Sequence, residues 1–256
     1  MATDPHESQN IAVFIDLENV AIGVRDAKFK SFDIDVVFRR LVDKGNILVR
    51  KAYADWGKFA EYKRPLHEAG VELIDMPGSK LTGKNSADIK MVVDALELSF
   101  SKSHIDTFAL ISGDSDFTPL VSKLRENNKH TIAVGVKNST SKLLIDMCDE
   151  FIYYDDLYNR KVKKSTSMPR LPKKTQEAFV LLMDAVAALQ RENREMHGSL
   201  VKETMKRKQP QFNEEYHGYR SFGKLLEDAQ KHNLIRLKKG NRSGTWVIDE
   251  VLEEGA

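Results

Sequence analysis

The chain has 256 residues, 41% hydrophobic and 30% charged, with a formal net charge of +2. This is a globular composition, long enough for one large domain or two ordinary ones, and it excludes a wholly disordered chain. No apolar run approaches the roughly 20 residues needed to cross a bilayer, and the lone cysteine, Cys148, gives neither an internal disulfide nor a thiolate metal cluster, as expected in a reducing cytosol.

In chain order, residues 1–9 are polar, contain no secretory h-region and read as a disordered tail. Residues 11–15 (Ile-Ala-Val-Phe-Ile) read as a buried strand, and Asp16, Glu18 and Asn19 follow it directly. Helical spacing marks 33–43, a strand follows at 46–54, a helix at 58–69 and a short strand at 71–75. A helix over 86–100 carries Asp88 in its first turn and Asp94 further on. The segment 107–111 (Thr-Phe-Ala-Leu-Ile) is a second buried strand. It leads into Ser112-Gly113-Asp114-Ser115-Asp116-Phe117 and a helix over 115–128. Strand 130–136, a short helix at 140–147 and strand 150–154 complete the series. Short apolar strands alternating with helices predict an α/β, Rossmann-like parallel sheet covered by helices on both faces, spanning residues 10–158.

The pattern breaks at 159–175, which is rich in Lys and Arg, has two prolines and no apolar period, and reads as a basic linker. Residues 176–256 form a smaller unit, with helices expected at 177–190, 199–206 and 219–231 and strands at 234–238 and 244–249 around a glycine turn. Three helices and a hairpin suggest a winged helix. The charge divides the same way. Residues 1–159 hold 20 Lys and Arg against 25 Asp and Glu, whereas residues 160–256 hold 20 against 13. A basic unit suits a polyanionic partner, and a modest excess of this kind equally suits a solvated surface.

In an open parallel sheet, ligands bind beyond the carboxyl ends of the strands, where strand order reverses. If the strands at 11–15 and 107–111 are neighbours there, Asp16 and Asp114 converge, and Asp88 at a helix start is a third candidate. Such a cluster repels itself unless a cation neutralises it or protons are taken up. All-oxygen ligands favour Mg2+ or Mn2+ over zinc, and such ions serve phosphodiester hydrolysis. Asn19 could add a neutral oxygen or orient a water, and Lys84, in the loop before the helix of Asp88, could meet a phosphate. Glu18 alternates away from Asp16 and is a weaker candidate. Asp94, six residues beyond Asp88, lies on another helical face and reads as a solvated or supporting acid. Each aspartate taken alone is as readily a helix cap. No histidine shows metal or triad spacing.

The stretches VFIDLENV, KNSADIKMVVDAL and ALISGDSDFTPLVSKLRENNKHTIAVGV together resemble the NYN family, a branch of the PIN-like nucleases that includes LabA-like proteins. The resemblance covers about residues 10–155 and implies Mg2+-dependent cleavage of RNA. It carries site roles onto Asp16, Asn19, Asp88, Asp114 and Asp116, with Asp94 as a further acidic position. The stretch HGSLVKETMKRKQPQFNEEYHGYRSFGKLLEDAQKHNLIRLK is similar to an OST-HTH/LOTUS domain, which implies binding of RNA or docking to a protein. Lys206, Arg207, Lys208, Tyr219, Arg220 and Lys224 are then the local candidates for phosphate contact and stacking, although Phe212, Phe222 and Tyr219 suit a core as well. The expected function is a metal-dependent endoribonuclease acting on single-stranded or structured RNA, with no membrane association and with homo-oligomerisation left open. The alternative is a non-catalytic RNA-binding or regulatory adaptor.

Overall fold

The computed structural model describes residues 9–76, 86–163, 171–240 and 245–252. Residues 1–8 of the expected tail, Lys84 and residues 164–170 of the expected linker lie outside the described residues. The chain divides into two compact units that part at Lys164 and Ser165, the short stretch Val42–Lys44 aside.

The first unit is built on six parallel strands: β1 (Gln9–Asp16), β2 (Gly45–Ala54), β3 (Glu72–Asp75), β4 (Thr107–Ile111), β5 (His130–Gly135) and β6 (Glu150–Tyr153). Their order across the sheet is β3-β2-β1-β4-β5-β6. β1 is central and covered on both sides, which is why Ile11 to Ile15 form an unbroken apolar run with no exposed residue. Side chains alternate between two cores. Ile11, Val13, Ile15, Ala109 and Ile111 point to one face, where α1 (Leu17–Asp26), α2 (Ile34–Lys44), α3 (Ala60–Glu68) and α7 (Tyr154–Lys163) supply Val20, Val37, Leu66 and Leu157. Ala12, Phe14, Phe108 and Leu110 point to the other, where α4 (Ser86–Ser101), α5 (Thr118–Glu126) and α6 (Lys142–Met147) supply Met91, Leu120 and Leu144. The α/β fold with helices on both faces is the one expected from the alternating sequence. The connection out of β1 leads to β2 on one side, and the later connection through α4 leads to β4 on the other. Strand order therefore reverses between β1 and β4, whose register pairs Ile15 with Ile111.

One element is added and two local readings change. The residues just after β1, given no element in the sequence, form the helix α1, capped by Asp16 itself, whose carboxylate accepts from Asn19 N at 3.2 Å. Asn19 and Gly23 weaken the helical signal there, but Leu17, Val20, Ala21 and Val24 are all buried. The helix expected from 115 begins as a 3-10 turn, Ser115–Phe117, because Asp114 caps it and α5 starts only at Thr118. Finally, α7 continues to Lys163, into the stretch read as linker; Leu157 and Tyr158 anchor its first half to the core.

The second unit consists of α8 (Lys173–Arg191), α9 (Gly198–Lys208), α10 (Phe222–Lys231) and an antiparallel hairpin of β7 (Ile235–Lys239) and β8 (Trp246–Val251). His197 bridges to Val247, extending the hairpin by one antiparallel contact. Phe179, Leu182, Val186, Val201, Phe212, Leu225, Ile235 and Ile248 make its core. α10 starts at Phe222, later than the sequence suggests, because the Ser221 side chain accepts from Lys224 N and caps it.

Gly45 opens β2 in register with Gln9, and a Cβ there would collide with the Gln9 carbonyl oxygen. Gly45→Ala is expected to destabilise the first unit by about 2–3 kcal/mol, the cost of forcing atoms into a filled space. Chemical denaturation followed by circular dichroism measures it; an unchanged midpoint would contradict the close β1–β2 approach.

Candidate active site

The two strand ends that flank the reversal are joined by a short chain of hydrogen bonds. Asp16, at the end of β1, is 7% exposed. Its Oδ2 accepts from Ser112 Oγ at 2.9 Å, and its Oδ1 accepts from Asn19 N at 3.2 Å. Ser112 Oγ in turn accepts from Asp114 N at 3.1 Å. Asn19 closes the arrangement from the other side, since its Oδ1 accepts from Gly113 N at 2.9 Å. The loop after β4 is thus fixed to the end of β1 through both Ser112 and Asn19. Gly113 also permits the close passage of the loop after β5: a Cβ there would lie 2.9 Å from Ser139 O. Asp114 Oδ1 accepts from Asp116 N at 3.0 Å, the cap of the 3-10 turn.

The carboxylates feel one another. Burial pushes the Asp16 carboxyl up to about 7; the Asn19 and Ser112 hydrogen bonds oppose this, and the charges of Asp88 and Asp114 add to it. Burial also raises Asp88, followed by the charges of Asp114, Asp116 and Glu18. Asp16, Asp88, Asp114 and Asp116 therefore share one crevice at the carboxyl edge of the sheet. Glu18 belongs there too, which the alternation of the sequence obscures. Its Oε1 accepts from Asp55 N at 2.9 Å, at the end of β2, and no local pattern announces a bond across 37 positions. Ser112 is the other residue that the sequence did not single out; it is fully buried.

Asn19 is used differently from the expectation. Its side-chain oxygen holds Gly113, so it positions the loop. Asp94 is not solvated but buried. Tyr53 Oη donates to it at 2.7 Å and Lys90 Nζ at 2.6 Å, with Lys51 Nζ at 3.8 Å. Burial would raise its carboxyl, but these partners hold it below the usual carboxylate range. It clamps α4, the helix that carries Asp88, to β2.

Among the described residues no three acidic, histidine or cysteine side chains stand close enough together to form a ready metal-ligand set. The donor chemistry nevertheless suits a hard divalent cation, since the groups are all carboxylates and two of them are held above their ordinary range by burial and like charge.

In the second unit, Lys206 and Arg220 are exposed. Lys208 Nζ donates to Asp184 at 2.8 Å, Lys224 to Glu227 at 2.6 Å, and Arg207 lies 3.9 Å from Glu203. Tyr219 is tied down: its hydroxyl donates to Asp228 at 2.7 Å and its ring packs on Phe179. Phe212 and Phe222 are buried in the core. The aromatic side chain that faces outward is Tyr216, 60% exposed, with Lys174 Nζ 4.4 Å from its ring centre.

The raised Asp16 carboxyl sets a pH dependence. Its folded value, about 7, lies above the ordinary 3.8, so the folded form holds the extra proton between these values. The stability this group contributes is full below about pH 4 and is lost as the pH rises through about 7. In EDTA, Asp16→Asn is expected to flatten the decline between pH 5 and 8 and to raise stability at pH 8 by about 1–3 kcal/mol. Urea denaturation at the two pH values tests this; equal slopes in both proteins would contradict it.

The chain has relatives. A curated, uncharacterized protein of Methanocaldococcus jannaschii is 30% identical over 142 residues, covering 56% of this chain and 54% of that protein. The chain thus spans about half the length of that relative. A crystal structure of a protein of unknown function from Vibrio parahaemolyticus is similar with a TM-score of 0.52 at 28% identity, covering 60% of this chain and 98% of that one. The family model for the NYN domain matches residues 10–155, more than half of the chain. With its PIN-like sheet and its acidic crevice at the reversal of strand order, the chain belongs to the NYN domain family, whose members are generally nucleases.

Proposed function

We propose that the chain is a divalent-metal-dependent endoribonuclease. The observation that carries this reading is the buried Asp16 carboxylate, lifted to about 7 beside Asp88 and Asp114. A buried acid with like-charged neighbours is costly unless a cation or proton joins it. Asp16, Asp88 and Asp114 are the residues that would hold Mg2+ or Mn2+, with Asp116 and Glu18 at the rim. When bound, such an ion polarises a phosphodiester and supplies a water of lowered pKa. The chain's own residues prepare the place. Ser112 aims Asp16 and holds the backbone of Asp114. Asn19 fixes Gly113. Asp94, through Tyr53, holds the helix that brings Asp88 in.

The second unit serves, in this reading, as an RNA-binding module of OST-HTH/LOTUS type. Its three helices and hairpin have the winged-helix order. Lys206 and Arg220 suit phosphate contact, and Tyr216 offers a stacking face in the place expected of Tyr219. A second reading, a non-catalytic RNA-binding adaptor, draws support from the missing three-ligand set among the described residues.

Cleavage of a labelled single-stranded RNA separates the two. The nuclease reading expects cleavage with Mg2+ or Mn2+, none in EDTA, and a loss of more than about 100-fold in Asp114→Asn, since even outer partners of a metal site are worth 10–100-fold. A folded wild type that binds but never cleaves would favour the adaptor. Cleavage by both proteins alike would overturn the assigned crevice. For the module, Lys206→Glu with Arg220→Glu in the full chain is expected to weaken RNA binding and to lower the slope of log affinity against log salt by about 1–2. An unchanged slope would point to a protein partner instead.

A further inference from the structure

Helix α4 shows a face that the described residues of its own unit do not cover. Ile89 is 63% exposed, Val93 51% and Phe100 72%, and Leu96 between them is half-buried. The spacing of 4, 3 and 4 residues sets all four on one stripe along a helix of 16 residues, about 24 Å long. Scattered single apolar residues need no explanation, but a continuous stripe marks an interaction surface. The opposite face of the same helix is engaged, with Met91, Asp94 and Ala95 buried. The stripe is therefore an addition to what the fold requires of α4.

The stripe is complementary to itself. When two α4 helices run antiparallel about a two-fold axis at the height of Asp94 and Ala95, Ile89 stands opposite Phe100 and Val93 opposite Leu96, and the same two layers repeat beyond the axis. The spacing is the alternating 4-3 pattern of a two-helix seam. At its edge, one residue after Ile89 and one after Leu96, stand Lys90 and Glu97. The antiparallel pairing brings Lys90 of one copy near Glu97 of the other, so opposite charges meet at both ends. Lys90 is 48% exposed even while it contacts Asp94, and Glu97 is exposed. A nucleic acid would want an unbalanced positive face with stacking rings, and an anionic lipid surface a basic rim; the charges here are balanced. A face that matches itself is the hallmark of an isologous interface.

We propose that α4 is the core of a homodimer interface, in which two copies of this chain pair antiparallel through Ile89, Val93, Leu96 and Phe100. The pairing sets the two acidic crevices in a fixed relation. Asp88 precedes Ile89, so the two Asp88 positions stand about 20 Å apart along the helix pair, from the rise per residue. Stable interfaces bury on the order of 800 Å2 per copy. One helix stripe is a small core for that area, so the dimer is expected to dissociate in the micromolar range.

Sedimentation velocity of the full chain across about 1–200 μM tests the pairing. The expected result is a concentration-dependent dimer that Phe100→Glu converts to a monomer at every concentration, with unchanged circular dichroism and melting. Val93→Lys is the second variant, and should behave alike. The register is read by disulfide trapping with Cys148 replaced by serine. Ile89→Cys and Phe100→Cys, mixed as separate proteins, should cross-link to each other and not to themselves. A wild type that is monomeric at 200 μM overturns the proposal. So does a dimer that survives both charge variants. Self-cross-linking of Ile89→Cys alone would refute the antiparallel register. RNA binding lost in Phe100→Glu without any change of mass would assign the stripe to nucleic acid and overturn it as well.

Discussion

The interaction on which the site depends is the bond between Ser112 Oγ and the buried carboxylate of Asp16. It joins the ends of β1 and β4, the two strands between which the chain reverses its order. The β1–β4 register and the Asn19–Gly113 bond set the spacing of the two strand ends, and this bond fixes the Asp16 carboxylate itself. With it, one hydroxyl donates to Asp16 and accepts from the backbone of Asp114. A serine can do both at once because a hydroxyl is donor and acceptor together. The result is an anionic crevice whose members are close enough to raise one another's proton affinity and whose backbone is fixed before any ligand arrives. Pre-set electrostatics of this kind are what hydrolytic sites use.

The supporting shell follows the same logic at longer range. Asp94 is buried, but Lys90, Tyr53 and Lys51 make its charge tolerable. Asp16 is buried with hydroxyl and amide donors, and no hydrogen bond or ion pair joins it to a cation among the described residues. Two aspartates six and seventy-two residues from Asp88 thus have opposite fates. One is neutralised by the protein and serves as a clamp. The other is held by neutral donors beside like charges, which is the contrast on which the metal proposal rests.

Much of this was legible in the sequence, for physical reasons. A central parallel strand must be apolar on both faces, so Ile11 to Ile15 and Phe108 to Ile111 announce themselves, and the acids that follow must lie at the carboxyl edge. Asp16, Asp114 and Asp116 stand out that way, and Asp88 by its place in the first turn of a helix. What depended on distant partners was not legible. Glu18 is held beside the acids by Asp55 N, just past the end of β2. Asn19 looked like a ligand and is a tie, because Gly113 N comes from 94 residues away. Tyr219 looked like a stacking ring, yet Asp228 and Phe179 claim it, and Tyr216 next to His217 faces out in its stead. α1 was hidden by Asn19 and Gly23, and α7 by the basic residues that follow its anchored first half. The apolar stripe of α4 was read as ordinary helix periodicity, because spacing alone does not tell which face the sheet takes.

The central claim is that a divalent cation takes the place of the proton on Asp16. Calorimetric titration of Mn2+ into the full chain at pH 7 and pH 8.5, in buffers of different ionisation enthalpy, tests it directly. A carboxyl at about 7 is half protonated at pH 7, and a ligand must shed its proton to bind metal. The account predicts binding that releases about half a proton at pH 7, almost none at pH 8.5, and no proton release in Asp16→Asn. Binding with the same proton release in Asp16→Asn, or no binding at either pH, would contradict it.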